Sequence, residues 1–135
     1  MKLMGIDYGR RRIGIAVSDA EGLLARGLGV VDRKASPNYI GELTRIIAEE
    51  KPSVLVFGLP LGGDDEETAI SKEVREFAAI VTERVALPVR FIDESFTSKK
   101  AAELMMHRKK KARRDKSLSD RIAACLILQE YINNG

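Results

Sequence analysis

A chain of 135 residues, 44% of them hydrophobic, has enough apolar material for a single domain spanning 1–135. A domain of that size buries roughly two-thirds of its unfolded surface and needs no disulfide or metal staple. The one cysteine, Cys125, excludes a disulfide scaffold, and no apolar run nears the ~18 residues of a membrane span, so the expectation is a cytoplasmic protein.

Lys2 to Ile6 is a short apolar run that ends in Asp7-Tyr8-Gly9, which predicts a strand leaving into a tight turn. Ile13 to Ser18 predicts a second strand, close enough to pair back antiparallel, and Gly27 to Val31 a third, making a meander. The period then changes. Ser36-Pro37 predicts a helix cap with proline at the first helical position, followed by Ile40, Leu43, Ile46 and Ile47 at helical spacing, with Pro52 past the end. Val54 to Gly58 is a continuous apolar strand, as expected when both faces are covered. Ile70, Val74, Phe77, Ala78 and Val81 predict the next helix, and Val89 to Ile92 another strand. Helices over Ser98 to about Met106 and Ser117 to about Asn133 complete the chain. The order β-β-β-α-β-α-β-α-α demands a mixed α/β sheet whose parallel crossovers are right-handed.

The net charge of +3 conceals a concentration: Arg108 to Lys116 holds seven bases and one acid, leaving the rest of the chain near −3. A second basic group, Arg10-Arg11-Arg12, follows the first strand. Localised positive charge fits a polyanion, because neutralising phosphates releases counterions; a solvated, solubilising loop is the plainer alternative.

Four acids lie at structural transitions: Asp7 closing the first strand, Asp93 and Glu94 closing the last, and Asp120 opening the last helix. Functional groups gather at the carboxyl ends of parallel strands, and converging carboxylates suit hard divalent cations. Each acid also has a structural reading: Asp7 as a turn former, Asp93 and Glu94 as solvent-facing strand ends, Asp120 as partner of Ser117 in a capping box. The loop Gly58 to Gly63 lacks the lysine of a nucleotide P-loop, and Asp64 to Glu67 would repel a phosphate there. His107 beside the basic run reads as a surface residue, with no second histidine for a zinc site. Tyr8 is either a stacking partner for a base or a partly buried turn residue, and Cys125, in an apolar stretch, reads as a small buried hydrophobe.

Met4 to Gly9 with Arg12 to Asp19 resembles the opening motif of the YqgF family, described as Holliday-junction resolvases and pre-16S rRNA processing nucleases of the RNase H-like superfamily. Val56 to Pro60, Asp93 to Ser98, Asp120 to Ala124 and Ile127 to Tyr131 resemble its later motifs in the same order, over nearly the whole chain. The resemblance implies a five-stranded RNase H-like sheet of order 3-2-1-4-5, its first three strands antiparallel, flanked by helices. It also implies a catalytic, metal-binding set of Asp7, Glu94 and Asp120 holding Mg²⁺ or Mn²⁺, with Asp93 in support. Nucleic acid would be held by Arg10, Arg11, Arg12, Arg108, Lys109, Lys110, Lys111, Arg113 and Arg114. Ser95 stands where the family usually has arginine, so phosphate positioning falls to these other bases. The implied activity is a metal-dependent endonuclease, monomer or homodimer, acting on precursor 16S rRNA. The alternatives are a Holliday junction resolvase acting on branched DNA and a catalytically inactive nucleic-acid-binding factor. Gly5 to Gly9 also looks like the first phosphate loop of actin-like ATPases, but those close two such domains around a nucleotide and this chain has residues for one.

Overall fold

The computed structural model describes residues 1–61, 67–94 and 116–134. Strands β1 (Leu3–Asp7), β2 (Arg12–Ser18) and β3 (Ala25–Asp32) are followed by α1 (Tyr39–Glu50), β4 (Val54–Leu59), α2 (Ala69–Val85), β5 (Val89–Asp93) and α3 (Lys116–Asn134). The five strands form one sheet in the order β3-β2-β1-β4-β5. β1, β2 and β3 pair antiparallel; β1, β4 and β5 pair parallel. This is the mixed sheet and strand order expected for an RNase H-like fold.

Side-chain alternation along the strands separates two apolar layers. Met4 and Ile6 of β1, Ile13, Ile15 and Val17 of β2, and Leu55, Phe57 and Leu59 of β4 face α1 and α2. There they meet Leu43, Ile47, Val74, Phe77 and Val81. Leu3, Ala16, Val54 and Val56 face the other way and are covered by Ala124, Ile127 and Leu128 of α3. All six residues of β4 are buried, because this strand carries helices on both faces.

Several boundaries differ from the sequence expectation. α1 begins at Tyr39, with Asn38 and not Ser36 at its N-cap, and Asn38 makes no side-chain cap bond. The cause is Asp32, whose Oδ1 accepts the amides of Lys34 and Ala35 while its carbonyl accepts that of Ser36, so Ser36-Pro37 belongs to a preceding turn. β3 runs from Ala25 to Asp32, longer than its apolar core, because it pairs along all of β2 with a bulge between Ile15 and Ala16. α2 starts on a reciprocal cap: Thr68 Oγ1 accepts the Ser71 amide and Ser71 Oγ accepts that of Thr68. Cys125 is only half-buried; its thiol donates to the Ala25 carbonyl at 3.4 Å, and burial pushes its pKa up. The expected helix from Ser98 to Met106, His107, the bases Arg108 to Arg114, and Gly62 to Glu66 lie outside the described residues.

Among the described residues no helix is long and apolar enough to cross a membrane. α1 and α2 both end in left-handed caps on non-glycine residues, Lys51 (φ 52°) and Ala86 (φ 51°). Glycine adopts that conformation without strain, so Ala86→Gly is expected to stabilise the fold by about 0.5–1 kcal/mol, read as a higher melting temperature.

Candidate functional site

The alternation that buries Leu3 against α3 carries Gly5 and then Asp7 to the same face. In the sheet, Asp7 pairs with Gly14 of β2. On its other side the β1–β4 register, which matches Ile6 with Phe57, brings Gly58 alongside. Asp7 thus stands in a lane bounded by two residues without side chains, and both are glycine for a reason of space. A Cβ on Gly14 would run into the backbone carbonyl of Asp120; one on Gly58 would meet the Glu94 carboxylate and Ile127 Cδ1.

Those close approaches place the other two acids. Asp120, in the first turns of α3, lies over Gly14, one strand from Asp7. Glu94 follows β5 directly, and its amide donates to the Leu59 carbonyl at 3.0 Å, continuing the β4–β5 ladder. Ile92 packs on the α3 side, so Asp93 falls on the opposite face and Glu94 returns to the lane, over Gly58. With neighbouring strands about 4.8 Å apart, Asp7, Glu94 and Asp120 converge at the C-terminal end of the parallel strands.

The electrostatics reflect that convergence. Burial, then the charge of Glu94, a hydrogen bond with it, and the charge of Asp120 hold the Asp7 carboxyl well above its ordinary pKa of 3.8. Burial likewise raises Glu94, with Asp93 adding to the effect and the bond to Asp7 opposing it. A bond between two carboxyls needs a proton on one of them, in keeping with the upward direction of both shifts. Asp120 is turned to a different partner: Arg12 Nε donates to its Oδ2 at 2.7 Å. Consistent with that engagement, no three Asp, Glu, His or Cys side chains among the described residues are already spaced as ligands of a common ion. In α3, described from Lys116 onward, Asp120 lies over Gly14 as a member of the lane.

The basic triplet is engaged throughout: Arg10 with Glu73, Arg11 with Asp32, Arg12 with Asp120. Tyr8 is a partly buried turn residue. Its ring lies against Phe77 with the Arg33 guanidinium 5.1 Å above the centroid, and its hydroxyl donates to Glu73. Arg33 donates to Tyr8 Oη, the Gly9 carbonyl and Tyr39 Oη, fastening the loop that follows Asp7 to the turn before α1. Gly14 and Arg33 carry the site without having stood out in the sequence, whereas Gly58 opens the glycine-rich loop that the sequence had singled out. The two glycines were detectable as the cross-strand neighbours of Asp7; Arg33 had no local signal.

A family model described as RuvX, Holliday junction resolvase, matches residues 1–134. A protein of Crocosphaera subtropica named "Putative pre-16S rRNA nuclease" is 36% identical over 130 residues, covering 96% of this chain and 91% of its own. One of the same name from Oleidesulfovibrio alaskensis is 37% identical over 133 residues, covering 98% and 92%. Among solved structures, Thermus thermophilus RuvC in complex with a Holliday junction substrate aligns with a TM-score of 0.62 at 19% identity, over 100% of this chain and 97% of that one. Fowlpox virus resolvase with Holliday junction DNA aligns at 0.65 and 12% identity, over 99% and 98%. At these identities the structural likeness establishes a shared RNase H-like fold.

Proposed function

Since the chain belongs to the RuvX family of Holliday junction resolvases, we propose that it is a metal-dependent endonuclease that hydrolyses phosphodiester bonds in structured nucleic acid, with precursor 16S rRNA as its substrate. The observation that carries this reading is the Asp7–Glu94 pair: two acids, desolvated, bonded to each other and within the field of a third. Like charges gathered out of water are costly, and a divalent cation relieves that cost. The donors are all hard carboxylate oxygens, which fits Mg²⁺ or Mn²⁺ held by Asp7, Glu94 and Asp120. When bound, such ions supply positive charge to the attacking water and to the departing 3′ oxygen.

The chain's own groups do the rest. Asp7 is fixed by the sheet register and by the Arg33–Tyr8–Glu73 network behind its loop. Glu94 reaches it across Gly58. Asp93, on the opposite face, adds a like charge that favours the protonated form of Glu94. Arg12 borders the lane, and with Arg10 and Arg11 in the turn before it would hold phosphates without reading base sequence; Arg108, Lys109, Lys110, Lys111, Arg113 and Arg114 would extend that grip. The choice of precursor RNA follows the name carried by the 36–37% identical relatives. The family's own description supports a second reading, resolution of four-way DNA junctions, which requires two symmetric cuts and hence a homodimer.

The test is cleavage of a precursor 16S rRNA fragment and of a four-way DNA junction by pure protein, with and without Mg²⁺. Cleavage of the RNA only with Mg²⁺ present is expected. Cleavage of the junction alone would replace the substrate. Salt-dependent binding without turnover, unchanged by Asp7→Asn, would replace the enzyme with a binding factor. Gly58→Ala offers a finer check. Its added Cβ meets the Glu94 carboxylate, Ile127 Cδ1 and, more loosely, Glu94 Cβ, all of them side-chain atoms, so the melting temperature is expected to shift by only a few degrees. Turnover should fall by about a hundredfold, as Glu94 is displaced from Asp7.

A further inference from the structure

Arg12 is the first residue of β2, and alternation places it on the same face as Gly14, at the rim of the acid lane. Its bond to Asp120 runs through Nε alone among the described residues, and not through the two-pronged fork that a guanidinium offers a carboxylate. The two side chains are 25% and 26% exposed, so water reaches both. A single-bond, water-accessible ion pair holds its partners only weakly. It neutralises the one acid of the three that the Asp7–Glu94 pair leaves out.

We propose that Arg12 is an exchangeable counter-ion for Asp120: it holds that carboxylate while no divalent cation is bound, yields it when the cation enters, and its released guanidinium then takes a phosphate of the nucleic acid. The inference rests on the metal-dependent reading above and adds to it a linkage between ion entry and substrate grip. Arg12 is a positioning residue toward the ion, because it acts by competing for a ligand. A brace role makes the opposite prediction, since a carboxylate deprived of a brace binds an ion less well.

The experiment is a Mn²⁺ titration of the full chain without nucleic acid, followed by calorimetry or by the spin-resonance signal of free Mn²⁺. Arg12→Met is expected to bind Mn²⁺ on the order of tenfold tighter than wild type, because a competing positive charge is gone. Arg12→Gln should behave alike, and Arg12→Lys, which keeps the charge, should stay near wild type. Unchanged or weaker binding in folded Arg12→Met and Arg12→Gln overturns the exchange. Wild type that binds no Mn²⁺ overturns the metal reading and the exchange together. Wild-type binding lost in Asp7→Asn keeps the metal reading standing whatever Arg12 does. A second readout concerns the phosphate. With Ca²⁺ as a non-turnover ion, the salt slope of binding to an RNA duplex should be smaller by about one in Arg12→Met than in wild type, and equal without the ion. Equal slopes in Ca²⁺ overturn the phosphate contact.

Discussion

Replacing Asp7 with asparagine is expected to reduce Mg²⁺-dependent cleavage by about three orders of magnitude or more, while raising the melting temperature of the ion-free protein. Both effects come from one cause. Asp7 is the acid most penalised by its surroundings, through burial first and then through Glu94 and Asp120. A neutral amide of the same shape removes that penalty and with it the charge that holds an ion. The sign of the pH dependence follows from linkage. The folded pKa values of Asp7 and Glu94 lie above their ordinary 3.8 and 4.5, so the native state binds protons that the unfolded chain has released. Their contribution to stability is complete below the ordinary carboxylate range and is lost as pH rises through the elevated values. Ion-free wild type therefore loses stability from acidic toward neutral pH; Asp7→Asn loses less, and Mg²⁺ restores wild type more than the variant. Calorimetry across that range with and without Mg²⁺ measures all three. Cleavage by Asp7→Asn at the wild-type rate would remove Asp7 from the site.

Gly14→Val is expected to be the most damaging substitution outside the acids, costing about 3 kcal/mol or more and lowering the melting temperature by roughly 10 °C. The obstacle to any Cβ at this position is the carbonyl of Asp120, part of a helix backbone and unable to rotate aside. α3 must lift from β2, which uncovers the layer formed by Ala16, Val56, Ala124, Ile127 and Leu128. Asp120 moves with the helix, so cleavage by whatever fraction remains folded should fall as well. Gly29→Ala on β3 is the control: its Cβ would meet nothing within 4 Å, and a change within about 0.5 kcal/mol is expected from thermal melting.

The sheet was legible in the sequence because its strands read as short runs between turn residues: two mainly apolar ones, a Gly-rich one, then an unbroken apolar run where β4 is buried on both sides. Strand order came from a family resemblance and not from spacing, since nothing local in β4 says that it adds beside β1 and not beside β3. The start of α1 was misread because Ser36-Pro37 has the chemistry of a cap, yet Asp32 captures the amides before it and delays the helix. At the site, the acids were recognisable as carboxylates at transitions, but their grouping depends on partners far along the chain. Leu3, Met4 and Ile6 are all apolar, so the face of Asp7 shows only in the two layers of the fold. That Asp120 reaches the same face depends on a helix docking across Gly14. The engagement of Arg12 by Asp120 has no signature in either segment.

Arg12 and Asp120 lie 108 positions apart, and that separation has a bearing on when the protein becomes active. Chains emerge from synthesis N-terminus first, at about 5–20 residues per second. Strand β1 with Asp7, and β5 with Glu94 just after it, are therefore made before the helix that completes the lane. Until α3 docks, Leu3, Ala16, Val54 and Val56 have no cover, and Asp7 stands between two glycines without its third neighbour. A chain still without α3 lacks both the cover of that layer and the Asp120 carboxylate.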